Sequence, residues 1–196
     1  MAWNLNKFDK TSFWNGILTH FFESENNKIL EVIQFLRNIL DKNVLGNSAN
    51  FFHLWAHPFA WSTTQHKTKN YLQICGEIEQ AQAKCTEIRL KNIRNSNNID
   101  ALQYSLQFYW LFAQKEILTD KIQNSTNGKL SEENKQQLLS ECEKMAQKFE
   151  ISREQYREIW TKTCSDANLD VLLENYTVMA EIFRNKKKEI DQNISW

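Results

Sequence analysis

Hydrophobic positions recur along this chain at intervals of three and four residues, with polar positions between them. This spacing is typical of amphipathic α-helices and is clearest over residues 29–40 and 71–88. The second stretch has a coiled-coil-like seam made of Tyr71, Ile74, Ile78, Ala81, Cys85 and Ile88. No stretch alternates with period two for long enough to predict a strand. The pattern therefore predicts an all-α fold, an antiparallel bundle of five to seven helices in which long amphipathic helices predominate.

The polar stretches between these stripes predict where each helix begins and ends. The predicted starts are, in chain order, Thr11 or Ser12, Ile29, Ser62 or Thr63, Ile99, Ser131 and Ser152. Serine and threonine are favoured helix caps, and Ser152 has Gln155 at capping-box spacing. The polar "SDAN" at 165–168 is predicted to bend or break the last helix.

The polar stretch "QNSTNGK" at 123–129 is the best candidate for a linker, because it contains a glycine and no large apolar residue. It predicts a main helical bundle over residues 1–122. Residues 130–196 would then form a helical hairpin that is packed on the bundle or attached through the linker.

Composition excludes several classes of protein. Lysine and arginine (24) balance aspartate and glutamate (24), so no net attraction to nucleic acid or to an anionic membrane is expected. No apolar run approaches the roughly 18 residues of a transmembrane helix, and the N-terminus lacks the apolar core of a signal peptide. We therefore expect a soluble cytoplasmic protein without a nucleic-acid partner. Its four cysteines are expected to be reduced and partly buried: Cys75, Cys85, Cys142 and Cys164.

The stretch "FFHLWAHPFAW" at 51–61 places two histidines, His53 and His57, four residues apart. On an intact helix both would point the same way and could bind one metal ion. A metal site would need a third ligand, however, and Pro58 ends the helix beside His57. The favoured interpretation is a helix end whose aromatic rings plug a core, with no bound metal and no cofactor. A metal-dependent helical enzyme centred on His53 and His57 stays open as an alternative.

Other chemistry has little support in the sequence. There is no Gly-x-Ser-x-Gly motif, and the four glycines, at 16, 46, 76 and 128, are too far apart to form a phosphate-binding loop. The basic run "RNKKK" at 184–188 is diluted by nearby acidic residues and is interpreted as offsetting a helix dipole. No catalytic residue is predicted.

Aromatic residues are 12% of the chain, more than the packing of one core explains. The excess predicts an interaction surface for a protein partner, a second copy of the chain or a hydrophobic granule. The helix that follows Ile99 is apolar over more than half of its circumference, so it is either central or covered by a partner. The candidate partner-binding residues are Phe51, Phe52, Trp55, Phe59, Trp61, Phe108, Trp110 and Trp160.

The segment "FEISREQYREIWTKTCSDANLDVLLENYTVMAEIF" at 149–183 is similar to the end of the E-type accessory subunit of polyhydroxyalkanoate synthases. There a tryptophan-bearing helix is followed by a helix with spaced apolar residues. The matching positions are Trp160, Cys164, Leu172 and Met179. The aromatic opening "NKFDKTSFWNGILTHFF" and the amphipathic helix at 62–95 also resemble that family and the phasins, which coat polyester granules.

This resemblance implies a helical, non-catalytic protein that binds the synthase or the granule surface, with Trp160 and residues 51–61 as contact residues. The expected function is thus that of an accessory or scaffold protein, in the cytoplasm or associated with granules. The alternative is a helical adaptor or effector that engages an unrelated protein.

Overall fold

The computed structural model describes residues 9–23, 27–41, 54–59, 68–91, 94–125 and 131–192. Over these residues the chain forms a bundle of six α-helices and no strand, so the all-α prediction is confirmed. The helices are α1 (Lys10–Gly16), α2 (Lys28–Asp41), α3 (Thr68–Arg89), α4 (Ser96–Ser125), α5 (Glu132–Thr163) and α6 (Leu169–Asp191). A π-helical turn, Ile17–Phe21, extends α1.

The cap of α1 differs from the prediction. The carboxylate of Asp9 accepts hydrogen bonds from the backbone N–H groups of Thr11 and Ser12, at 3.0 and 3.2 Å. The helix therefore begins at Lys10, and neither Thr11 nor Ser12 is its cap. A carboxylate suits this place because it accepts two otherwise unpaired N–H groups and favours the positive end of the helix. Hydrogen bonds from the Ser12 hydroxyl and from these amides lower the pKa of Asp9.

Helix α4 lies at the centre of the bundle and packs against α2, α3 and α5. The predicted seam of α3 is confirmed, since Ile74, Ile78, Ala81, Cys85 and Ile88 are buried and Tyr71 is half-buried. The central position explains why α4 is apolar over so much of its surface. Its start, Ser96, lies three residues before the predicted Ile99, and the predicted start of α3 lies outside the described residues.

Helix α5 is continuous, so the predicted helix start at Ser152 is wrong. The Ser131 hydroxyl caps α5, as predicted, by accepting a hydrogen bond from the N–H of Asn134 at 3.3 Å. Ser152 lies in the middle of the helix and is only 1% exposed. The spacing of a capping box also joins neighbours on one face of an uninterrupted helix, and no glycine or proline between Ser131 and Thr163 stops α5.

The predicted break at 165–168 is confirmed. Asn168 has a left-handed backbone (φ 64°), which asparagine tolerates better than most residues, and α6 begins directly after it. Helices α5 and α6 then pack along each other as a hairpin, with the rings of Phe149 and Phe183 stacked at 6.1 Å. The predicted linker, 123–129, overlaps the end of α4 at Ser125, and 126–130 lie outside the described residues. The division into domains stays a prediction.

The basic run at 184–188 joins α6 to α5. Arg184 pairs with Glu150 at 2.6 Å, and Lys187 pairs with Glu143 at 2.9 Å. These ion pairs account for two of its cations more directly than the helix dipole does.

Candidate functional site

The described part of the aromatic stretch, residues 54–59, lies against the bundle. Leu54 is completely buried and Pro58 is also buried, whereas His57 is exposed. The His57 Nδ1 atom accepts a hydrogen bond from the N–H of Phe59 at 3.3 Å. Phe51, Phe52, His53 and Trp61 lie outside the described residues. Residues 54–59 are called the aromatic segment below.

Two rings of the aromatic segment contact the helices: Trp55 meets α4 and α6, and Phe59 meets α6. The ring of Trp55 meets that of Tyr176 edge to face at 4.6 Å and that of Phe108 at 6.1 Å. The ring of Phe59 meets that of Phe183 at 5.8 Å, and Lys186 Nζ lies 4.4 Å from the Phe59 ring centroid. Edge-to-face pairs and cation–π contacts each add to the free energy of burial, so the aromatic segment is bound tightly to the two helices.

Lys115 ties the aromatic segment to α4 from within the core. Its side chain is only 1% exposed, and Nζ donates hydrogen bonds to the carbonyl oxygens of Leu54 and Ala56, both at 3.3 Å. Glu116 supplies a negative charge 3.2 Å away. Desolvation lowers the pKa of Lys115, and the nearby carboxylate opposes that shift. The lysine thus satisfies carbonyl groups that the end of a short helical turn would otherwise leave unpaired.

The other described candidates also make contacts within the chain. Trp110 Nε1 donates to Glu79 at 3.0 Å, and Lys148 Nζ lies 4.5 Å from the Trp110 ring. Trp160 Nε1 donates to the carbonyl oxygen of Ser165 at 2.7 Å. Trp55, Phe59, Phe108, Trp110 and Trp160 are all partly buried. Their role as partner contacts stays a prediction.

Among the described residues, the most exposed Phe, Tyr and Trp rings lie instead on α1 and its π-helical turn. Phe13 is 44% exposed and Phe21 is 45% exposed, with Trp14 and Ile17 partly exposed between them. These four residues are called the α1 surface below. It borders a groove of about 430 Å³, whose far wall comes from α2 and α4 and includes Leu102.

The α1 surface was not among the predicted candidates. Trp14, Ile17 and Phe21 follow Phe13 by one, four and eight residues. Positions at these intervals lie on one side of a helix, and this spacing is the signal in the sequence. Leu18 and Phe22 directly follow Ile17 and Phe21 in the sequence, but both are buried. Periodicity alone does not distinguish which of these apolar residues face the core.

No metal site is found within the part of the chain that the structure describes. Among those residues, no group of three or more His, Cys, Asp or Glu side chains could hold an ion. The pairing of His53 with His57 is not tested, because His53 lies outside the described residues. None of the described helices has a stretch long and apolar enough to span a membrane.

Comparison with known proteins gives no match. No family model, no curated protein and no solved structure is significantly similar to the chain. Function is therefore inferred from the fold, from the geometry of its surfaces and from the sequence resemblance given above.

Three of the four cysteines are buried thiols. Burial raises the pKa of Cys75, raises that of Cys85 to about 11 and raises that of Cys142 to about 12. The thiolate is the reactive form of cysteine, so these three thiols are poor nucleophiles at neutral pH. Cys164, by contrast, is exposed.

The free energy of unfolding is expected to fall at alkaline pH because of these thiols. Cys142 loses its proton near pH 9.0 when unfolded but only near pH 12 when folded. Its contribution is fully present below pH 9 and is lost as the pH rises from there toward 12. Between about pH 8 and pH 10 this thiol should account for a fall of about 1.4 kcal/mol, measurable by urea denaturation.

In the Cys142→Ala variant, the free energy of unfolding should fall by about 1.4 kcal/mol less than in the wild type between about pH 8 and pH 10. This difference is expected whatever the stability of the variant at neutral pH. Ser140→Ala, at an exposed position two residues away and without a titratable group, should keep the wild-type pH dependence. If the free energy of unfolding falls as much in Cys142→Ala as in the wild type, the result would contradict the assignment of this loss to the Cys142 thiol.

Proposed function

We propose that the protein is a non-catalytic helical accessory or scaffold protein that binds a partner through an aromatic helix face. The observation that supports this proposal is the α1 surface, where Phe13 and Phe21 are each nearly half exposed and where Trp14, Ile17 and Phe21 line an apolar groove. Contiguous exposed apolar surface in a soluble protein usually has a binding role. Large aromatic rings are also among the side chains that contribute most to interfaces.

The first partner to test is a polyhydroxyalkanoate synthase or the surface of its polyester granule. The sequence resemblance to the accessory subunits and phasins includes the aromatic opening at 6–22, and that stretch contains the α1 surface. A groove of about 430 Å³ has room for a large apolar side chain of a partner. A cytoplasmic, granule-associated location belongs to the same proposal. The alternative, a helical adaptor or effector, would use the same surface for an unrelated protein.

A double substitution tests the proposal. Phe13→Ser with Phe21→Ser removes both exposed rings, and binding to a purified synthase or to poly(3-hydroxybutyrate) particles should weaken at least about tenfold. The matched control is Leu72→Ser with Leu90→Ser, because these residues are 56% and 81% exposed on and just beyond α3. The control should bind like the wild type. Circular dichroism should show unchanged helix content in both.

The outcomes separate the two candidate functions. If both double variants still bind the synthase or the particles like the wild type, the result would contradict a role for the α1 surface. If the wild-type chain binds neither the synthase nor the particles, but another protein binds only to chains with an intact α1 surface, the adaptor function is favoured over the polyester one.

A further inference from the structure

A second cavity, separate from the α1 groove, lies where the aromatic segment meets four helices. Its volume is about 360 Å³. Its walls are Leu36 from α2, Trp55 from the aromatic segment, Tyr104, Ser105, Phe108 and Tyr109 from α4, Tyr156 from α5, and Leu172 and Tyr176 from α6. Six of these nine residues are aromatic and none carries a charge. Of the residues that form this cavity, only Ser105 also borders the α1 groove.

The aromatic walls are fixed by contacts among the rings themselves. Tyr156 packs against Tyr104 at 5.4 Å and against Tyr176 at 5.9 Å, both in tilted arrangements. Trp55 also contacts Tyr176, edge to face at 4.6 Å. Because each ring is braced by another, a ligand entering the cavity would not have to order the walls.

The polar side-chain groups of the residues that line the cavity are five hydroxyls and the indole N–H of Trp55. The Tyr104 and Tyr176 hydroxyls form a hydrogen bond with each other. Desolvation raises the pKa of both, so both keep their protons and stay neutral. Two hydroxyls carry two protons and their mutual hydrogen bond uses one, which leaves a second proton to donate to an acceptor. The Ser105 hydroxyl is already bonded to the Ala101 carbonyl oxygen, at 2.9 Å.

We propose that this cavity binds a small neutral molecule with an apolar ring body and one hydroxyl or carbonyl group. Its volume is about twice that of the ~150 Å³ engineered cavity that accepts benzene, so a two-ring molecule fits. The uncharged walls would desolvate an ion without supplying an opposite charge, which disfavours anionic and cationic ligands. The oxygen of the ligand would accept the remaining proton of the Tyr104–Tyr176 pair. This site goes beyond the proposed function, because it binds a small molecule at a different place.

The probe is 2-naphthol, which is neutral at pH 7, and the matched probe is 2-naphthoate, which has the same rings and a negative charge. Isothermal titration calorimetry should show 2-naphthol binding to one site, with a Kd on the order of 0.1 to 1 mM. 2-Naphthoate should bind at least about tenfold more weakly. Equal affinities, or no heat from 2-naphthol, would overturn the proposal.

Two neighbouring residues on α6 provide a matched pair of variants. Leu172→Trp adds volume inside the cavity and should weaken 2-naphthol at least about tenfold. Val171→Trp adds the same ring at a position that is 67% exposed, and should bind 2-naphthol like the wild type. Unchanged binding in Leu172→Trp, confirmed as folded by circular dichroism, would overturn the assignment of the site.

Tyr104→Phe combined with Tyr176→Phe keeps both rings and removes both hydroxyls, so it tests the site even if Leu172→Trp does not fold. Neither residue then has a proton to donate, and 2-naphthol should bind about fivefold more weakly, the effect of one hydrogen bond. Unchanged affinity in this double variant would contradict the role of the hydroxyl pair.

Discussion

Replacing Phe183 with alanine is expected to lower the free energy of unfolding by about 3–5 kcal/mol. Phe183 is completely buried on α6, and its ring contacts Phe149 of α5 and Phe59 of the aromatic segment. The substitution therefore leaves a cavity where three parts of the chain meet. Urea denaturation followed by circular dichroism measures the change.

Two variants of the same helix are the controls for Phe183→Ala. Phe183→Leu keeps most of the buried volume and should cost clearly less than alanine. Val178→Ala changes a residue that is 43% exposed and should stay within about 0.5 kcal/mol of the wild type. A loss below about 1 kcal/mol for Phe183→Ala would mean that these three parts of the chain do not share a core.

Replacing Lys115 with alanine is expected to cost about 2–4 kcal/mol. The change removes a buried aliphatic stem and leaves the carbonyl oxygens of Leu54 and Ala56 without their donor. The aromatic segment should then open more often than the rest of the bundle. Hydrogen exchange read by mass spectrometry should become faster than in the wild type, and the increase should be larger in peptides that cover residues 54–59 than in peptides from α5.

Lys115→Met separates the two causes of that loss. Methionine fills most of the space of the stem but cannot donate hydrogen bonds, so this variant should be more stable than Lys115→Ala and should still exchange faster over 54–59. Lys188→Ala, at an exposed position of α6, should leave both stability and exchange unchanged. If both Lys115 variants keep the wild-type exchange over 54–59, the lysine does not hold the aromatic segment.

Helices with a sustained stripe could be predicted from the sequence because their signal is local. The seam from Tyr71 to Ile88 and the stripe of α2 are set by neighbours three and four residues apart. The break before Leu169 could also be predicted, since polar residues at 165–168 interrupt the apolar pattern. The start proposed at Ser152 was wrong because the same short spacing occurs inside a continuous helix.

The aromatic segment depends on contacts that no local pattern contains. Whether residues 54–59 are buried is decided by Lys115, about sixty residues further along the chain, and by Phe183 and Lys186 on α6. Lysine is rarely buried, so a lysine at 115 gives no sign in the sequence that it supports a core segment. The cavity likewise unites Tyr104, Tyr156 and Tyr176 from three helices, and their separations in sequence carry no shared signal.

We propose that the protein binds its partner through the α1 surface, and hydroxyl-radical footprinting with mass spectrometry shows whether the partner covers that surface. In the chain alone, Phe13 and Phe21 should be oxidised much faster than the buried Phe149 and Phe183. When a synthase or polyester particles are bound, Phe13 and Phe21 should become protected while Leu72 and Leu90 keep their rates. Formation of the complex with no protection of Phe13 and Phe21 would contradict the claim.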